Sequence, residues 1–393
     1  MKNIQLILSL IQPQPFSTMN FFEPKVILLQ SGYAHYRDTL FNILADRHNL
    51  EIIYEQSDNT YPGMGEPKGY PHIFLDKISS FNWLGLIKIL INKKPSIIIE
   101  PGSNSLRAVI AFIYARLFKK KLLLWIESWK TPTYPKNSIK FYPGAIRNFI
   151  SKQIICRADA IIAGSAVSYQ YLKSITDEKN KIFTALQCSN DLQKRELPIA
   201  KPNRLNKYTF LYLSRIIPLK GLDILIKAFG LLRKKRNDVS LLVAGDGQFK
   251  PFCYKLSKSL KIPDIHFKGS VDPGMAHFIF SQADIFILPS RIIGNAYDAW
   301  GLVLNEAMSM SLPVITTDAA GASFDLVVDG YNGYLIKENS IDDLYKAMNL
   351  ILDQDLSQMG ENSRKTFDMK NDFKRMANGF SSAIYHVKND SKL

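Results

Sequence analysis

From Lys25 onward the chain alternates short apolar runs with amphipathic stretches. The runs at 26–29, 51–54, 96–99, 121–125 and 160–163 are built mainly from isoleucine, leucine, valine and alanine, with Glu51, Ser96 and Lys121 at their starts. Between them, segments such as 38–48 and 105–118 place apolar residues at helical spacing. Strands that are apolar on both faces and alternate with helices belong to a parallel sheet covered on both sides. The pattern therefore predicts one doubly wound α/β domain over 23–195. It breaks at 191–207, a polar stretch with Pro198 and Pro202 that is expected to be a linker.

The alternation then restarts. Strands are expected at 208–213, 240–244, 265–267, 284–288 and 313–317, with a helix over 222–232 whose Leu222, Leu225, Ile226, Phe229 and Leu232 share one face. A second doubly wound domain over 205–360 follows from that. Asn332-Gly333 reads as a turn and the segment 341–387 as helices, and 361–393 is set apart as a C-terminal helical segment.

Composition narrows the classes open to such a chain. With 393 residues, 46% of them hydrophobic and 22% charged, there is material for two ordinary cores, which excludes a disordered or fibrous protein. A formal charge of +15 implies an anionic partner, be it phosphate, a membrane surface or nucleic acid, unless it reflects lysine-rich composition alone. Basic residues interleaved with aromatics on one face, as nucleic-acid binding needs, are not found. Cys156, Cys188 and Cys253 lie far apart, which argues against a disulfide framework or a zinc site and fits a reducing, cytoplasmic compartment. At the N-terminus the apolar run 4–11 superficially resembles a signal sequence, but it is short and interrupted by Gln5. Residues 1–22, with Met19 just before the first strand, are expected to be a dispensable extension or an upstream mis-start. No later stretch reaches the roughly 18 to 20 apolar residues that a membrane span needs.

Candidate chemistry collects after the strands. The first strand runs into Gln30-Ser31-Gly32-Tyr33-Ala34-His35, without the glycine fingerprint of dinucleotide binding, so NAD is not expected. Gly32 would let a backbone amide approach an anion, and His35 and Arg37 would meet a substrate. In the second domain Arg215 and Lys220 bracket a turn stiffened by Pro218, a pairing that suits a diphosphate. Gly245-Asp246-Gly247 makes a tight turn at the same sheet edge. The stretch 283–310 begins as a strand, stops at Pro289-Ser290, and restarts at Gly301 as a helix carrying Glu306. Asp298 and Glu306 stand on either side of that glycine. A strand, a glycine turn and a helix N-terminus together form an edge where free amides face an anion.

Taken in order, FLYLSRIIPLKG, LLVAGDG, ADIFILPS, DAWGLVLNEAMSMSLPVITTDAAG and DGYNGYLI resemble the carboxyl-terminal domain of the retaining GT4 glycosyltransferases of glycosyltransferase group 1. The resemblance covers about 208–336; the first domain matches in architecture and in small features such as Ser165. It implies the GT-B fold, with two Rossmann-like domains facing across a cleft and a C-terminal helix packed back on the first. It also implies a nucleotide-sugar donor, a UDP-sugar by preference, with no metal or cofactor. Arg215 and Lys220 match the pair that grips the diphosphate, and Glu306 the acid that accepts from the ribose hydroxyls. Gly301 and Leu302 match the helix start facing the phosphates, with Trp300 and Gly245 beside them, and Gly32 matches the first-domain loop. Configuration would be retained through front-face displacement without a protein nucleophile.

One position departs from the family. Its paired acids are usually both glutamates, and Asp298 stands at the first, with its carboxylate one methylene closer to the backbone. Asp298 is the candidate for contact with the donor sugar. On the acceptor side, Trp125-Ile126-Glu127-Ser128-Trp129, at the end of the expected strand 121–125, occupies the place where the family's first domain offers a polar residue after its fifth strand; Glu127 would orient or deprotonate an acceptor hydroxyl or contact the donor sugar, and His35 is a further acceptor-side candidate. Trp125 is expected in the core, whereas Trp129 would stack on a sugar ring. Lys119 to Lys121 and the segment 136–152 mix cations with apolar groups, as a peripheral membrane element does. A glycan or lipid-linked acceptor in cell-surface polysaccharide synthesis fits that reading. A nucleotide-sugar epimerase of the same fold and a catalytically weak sugar-binding relative are the alternatives.

Overall fold

The computed structural model describes residues 23–57, 66–78, 81–129, 144–194, 206–294 and 296–389. The expected extension at 1–22, most of the linker and the 136–143 part of the basic segment lie outside these residues.

The first sheet contains β1 (Val26–Gly32), β2 (Leu50–Gln56), β3 (His72–Phe74), β4 (Ile97–Pro101), β5 (Lys121–Ile126), β6 (Ala160–Ala163) and β7 (Ile182–Thr184). The order is β3-β2-β1-β4-β5-β6-β7, and every pairing is parallel. The second contains β8 (Tyr208–Leu213), β9 (Val239–Ala244), β10 (Ile265–Gly269), β11 (Ile285–Leu288), β12 (Val314–Thr317) and β13 (Gly333–Ile336), in the order β10-β9-β8-β11-β12-β13 and again parallel. These are the two doubly wound α/β domains expected. Strands β3, β7 and β13 were not anticipated; β3 and β7, at three residues each, are too short to show as apolar runs. Gly333 is not part of a turn but opens β13, paired with Val314 of β12. The helix expected to restart at Gly301 begins at Val303, because Gly301 has φ +91°, outside the right-handed helical region.

Each sheet is covered on both faces, which is why its strands are apolar throughout. One face of the first sheet takes the helices Asn82–Lys93, Leu106–Leu117, Gly144–Arg157 and Ala166–Ile175. The other takes the helices Asp38–Arg47 and Phe373–Asn389. The last helix of the chain thus returns to the first domain: Met376, Phe380, Ile384 and Val387 are buried with residues of β1 and β5, and Phe380 meets the Trp125 ring edge-on at 5.0 Å. The preceding helix, Leu356–Lys370, buries Met359 and Phe367 in the second domain and runs through the expected 360/361 boundary. The chain crosses back at 371–372. There Asn371 is bonded to Ser189 in both directions, at 2.7 and 2.8 Å, so the two crossings between domains lie against each other. Arg364 clamps Asp191 beside them through two bonds of 2.8 Å.

Candidate functional site

In an open parallel sheet, ligands bind outside the carboxyl ends of the strands where the strand order reverses. That point lies between β1 and β4 in the first sheet and between β8 and β11 in the second. The two edges enclose a cleft of about 730 Å³. The first domain contributes Gly32, at the end of β1, with His35 and Glu127. The second contributes Arg215, Lys220, Asp298, Trp300, Gly301, Leu302 and Glu306. Residues far apart in sequence are thus brought together.

Gly245 is the exception. It does not line the cleft, and its lack of a side chain serves packing. Its φ is +121°, and a Cβ there would lie 1.9 Å from the Ser214 carbonyl oxygen. The 245–247 turn instead lies along the loop that carries Arg215: Ser214 N–H donates to Ala244 at 3.3 Å and Ile216 N–H to Asp246 at 2.8 Å. Its link to the cleft runs through Arg215, which is exposed and has no carboxylate partner among the described residues.

Lys220 sits in a different environment. Its turn is pinned to the end of β11, since a Cβ on Gly221 (φ +66°) would meet the Pro289 carbonyl oxygen at 1.9 Å. Arg291 holds the same turn, donating its Nε–H to the Pro218 carbonyl at 2.8 Å while its Nη1 pairs with Asp223 at 3.1 Å. The Lys220 ammonium, nearly buried, forms an ion pair with Asp298 Oδ2, to which Ser290 Oγ–H also donates at 3.0 Å. The sequence suggested two free cations for a diphosphate and an acid for the sugar. In the folded chain one of those cations and that acid neutralise each other.

Trp300 lines the cleft, but most of its ring is turned into the core. It is 5% exposed, packed with Leu288, Leu304 and Ala320, and its indole N–H donates to Asn305 Oδ1 at 2.8 Å. Glu306 is half-buried on the cleft wall.

On the first-domain side, Glu127 Oε1 accepts from Arg37 Nη2 at 3.0 Å and from Gln187 Nε2 at 2.7 Å. Both bonds fall on one oxygen, which leaves Oε2 able to accept from a ligand hydroxyl. Arg37 is in turn stacked over Trp125 at 4.5 Å and donates to the Gln30 side chain. Trp125 is in the core, as expected, at 1% exposure. Trp129 packs across the domains: its ring lies 4.5 Å from that of Tyr297, whose hydroxyl accepts from the Trp129 backbone N–H at 3.1 Å. This contact joins the domains directly beside Asp298. Nearby, Ser165 caps the helix Ala166–Ile175, whose first N–H donates to Asp325 of the second domain at 3.0 Å.

A second cavity, of about 440 Å³, adjoins the cleft on the first-domain side and is lined by Gly102, Ser103, Asn104, Ser128 and Ser151 among others. Glu127, Arg37 and Tyr297 line both cavities. Gln187, Ser290 and Tyr297 had carried no signal in the sequence; each acts through a neighbour in space rather than a motif.

A family model described as "Glycosyl transferases group 1" matches residues 193–366. An uncharacterized glycosyltransferase of Methanocaldococcus jannaschii is 30% identical over 275 residues, covering 67% of each chain. The lipopolysaccharide 1,2-N-acetylglucosaminetransferase of Salmonella typhimurium is 25% identical over 67% of this chain and 66% of its own. Curated relatives of this kind are matched over 53–67% of their length. The crystal structure of Anabaena HepE in complex with UDP superposes with a TM-score of 0.71 over 92% of this chain and 99% of its own, at 16% identity. With motifs in order over the second domain, the relative from Methanocaldococcus jannaschii and the shared two-domain fold, this chain belongs to the group 1 family of glycosyltransferases.

Proposed function

We propose that this chain moves a sugar from a UDP-sugar to a glycan or lipid-linked acceptor with retention of configuration and without a metal. The observation that carries this reading is the cleft itself, in which Arg215, Lys220 and Glu306 of one domain face Gly32 and Glu127 of the other. UDP is favoured because the Anabaena neighbour of the same fold binds it. A surface-glycan acceptor is favoured by the likeness to the lipopolysaccharide 1,2-N-acetylglucosaminetransferase of Salmonella typhimurium.

In this reading the donor diphosphate lies against Arg215, Lys220 and the Gly301-Leu302 amides, and the ribose hydroxyls donate to Glu306. The acceptor oxygen forms a bond to the anomeric carbon as the bond from that carbon to the diphosphate breaks on the same face. The acceptor proton passes to the departing phosphate oxygen. Arg215 and Lys220 stabilise the charge that develops there, each charge-assisted bond contributing about 1.5–3 kcal/mol. When Lys220 turns to the phosphate, Asp298 is released to accept from a donor-sugar hydroxyl. Glu127, held at one oxygen, orients the acceptor hydroxyl from the border of the second cavity.

The test is a panel of UDP-, GDP- and ADP-sugars scored by melting shift and by slow hydrolysis, with and without EDTA. A response to UDP-sugars that survives EDTA and weakens at least tenfold in Glu306→Ala is expected. No response to any donor overturns the proposal, and sugar interconversion without an acceptor assigns the epimerase activity instead.

A further inference from the structure

The helices Asn82–Lys93 and Leu106–Leu117 lie side by side on the first sheet, joined by a bond of 2.8 Å from the Tyr114 hydroxyl to the Leu90 carbonyl. Their inner faces are spent on the core, where Leu86, Leu90, Ala108, Ala111 and Ala115 are buried. A surface helix of this kind should turn polar residues outward. These turn out Phe81, Leu84 and Ile91 on one stripe and Leu106, Ile113 and Leu117 on the next, with Leu106 60% and Leu117 72% exposed. The following helix, Gly144–Arg157, adds Ile146 and Phe149 near its start. Contiguous exposed apolar surface of this extent marks a docking face.

Charge decides what docks there. Lys88, Lys94 and Lys119 are exposed among these apolar side chains. Across 81–120 the one acid is Glu100, which is fully buried against Arg107. Residues 144–157 contain no acid at all. A second copy of this chain would bring cations against cations, whereas an anionic lipid surface accepts apolar side chains into its interface and lysines at its headgroups.

Position connects this face to the site. In a βα unit the helix starts at the carboxyl edge of the sheet, so Phe81, Leu84, Leu106 and Ile146 stand at the edge that carries the cleft. The loop 102–104, which lines the second cavity, leads straight into the helix Leu106–Leu117, and Ser151 of the same cavity is on the helix Gly144–Arg157. We propose that the first domain docks on an anionic bilayer through the outer faces of these helices, so that an amphiphilic acceptor reaches the second cavity with its hydrocarbon part still in the membrane. Docking stands on the helix faces alone; the acceptor class rests on the transferase reading.

The full-length protein is sedimented, without any sugar donor, with vesicles of phosphatidylcholine alone or mixed with phosphatidylglycerol. Binding to the mixed vesicles that falls with added salt is expected. Ile113→Glu with Leu117→Glu should weaken it more than about tenfold, and Lys88→Gln and Lys119→Gln about fivefold each. Because these side chains are exposed, melting curves and UDP affinity of the variants should match the wild type, which separates a failure of docking from a failure of the donor reading. Absence of vesicle binding, or binding indifferent to all four substitutions, overturns the proposal. So does a wild-type dimer in analytical ultracentrifugation that Ile113→Glu with Leu117→Glu converts to monomer, since that face would then belong to a second copy.

Discussion

Replacing Asp298 with alanine should tighten UDP binding even as it stops turnover. The Lys220 and Asp298 side chains are 10% and 11% exposed and paired with each other, and Ser290 supports the carboxylate. Removing one partner of a buried pair leaves the other charge uncompensated, at a cost of about 3–5 kcal/mol; with a tenth of each side chain still reaching solvent, the lower end applies here. The ligand-free variant should therefore melt at a lower temperature. A diphosphate entering the wild-type cleft must draw Lys220 away from Asp298 and then lie near that carboxylate. In the variant it meets a lysine with no anion of its own. If roughly half of the lost energy is recovered on binding, UDP affinity rises by about tenfold.

Calorimetric titration with UDP, together with melting curves in its presence and absence, measures both quantities. Asp298→Asn retains the volume and removes the charge, so it should reproduce the tighter binding with less disruption of packing. Equal or weaker UDP affinity in both variants, with unaltered stability of the ligand-free protein, would refute the view that Asp298 occupies Lys220 before the donor does.

Gly245→Ala should destabilise the second domain by about 2 kcal/mol or more and weaken UDP binding, because its Cβ would meet the Ser214 carbonyl and shift the loop bearing Arg215; melting and titration of the same variant check this. Phe380→Ala should cost about 3–5 kcal/mol by emptying the contact with Trp125, and thermal unfolding would show it as a loss in the first domain, although the residue lies near the end of the chain. Burial, reinforced by Lys388 and Arg47, pushes the His48 pKa from 6.5 down to about 4. The unfolded chain then binds the proton first, so stability is complete above pH 6.5 and falls by up to about 3 kcal/mol as pH drops towards 4. Chemical denaturation across that range should show this acid limb, and His48→Gln should flatten it.

The parts of the site that were legible are those carried by one continuous stretch. Arg215 and Lys220 flank a single turn, and Gly301, Leu302 and Glu306 a single helix start, so residue order already implies that each group lies together at the sheet edge that lines the cleft. The Lys220–Asp298 pair was not legible, since it exists only because β8 and β11 are neighbours in the sheet. Periodicity tells a strand which faces to bury and does not say which loops will meet at its end. Glu127 shows the same limit: its partners come from the segment after β1 and the segment after β7, and β7 is too short to leave a pattern. Gly245 exposes a further ambiguity. A left-handed glycine that admits a close approach reads alike whether the approaching oxygen belongs to a phosphate or, as here, to the backbone of Ser214. The aspartate that departs from the family's glutamate can be judged by the same standard. Its shorter reach looked like a handicap towards the sugar, but in the folded chain the carboxylate is paired with Lys220, and under the proposed donor site competition for that lysine would couple the state of the acid to the arrival of the donor.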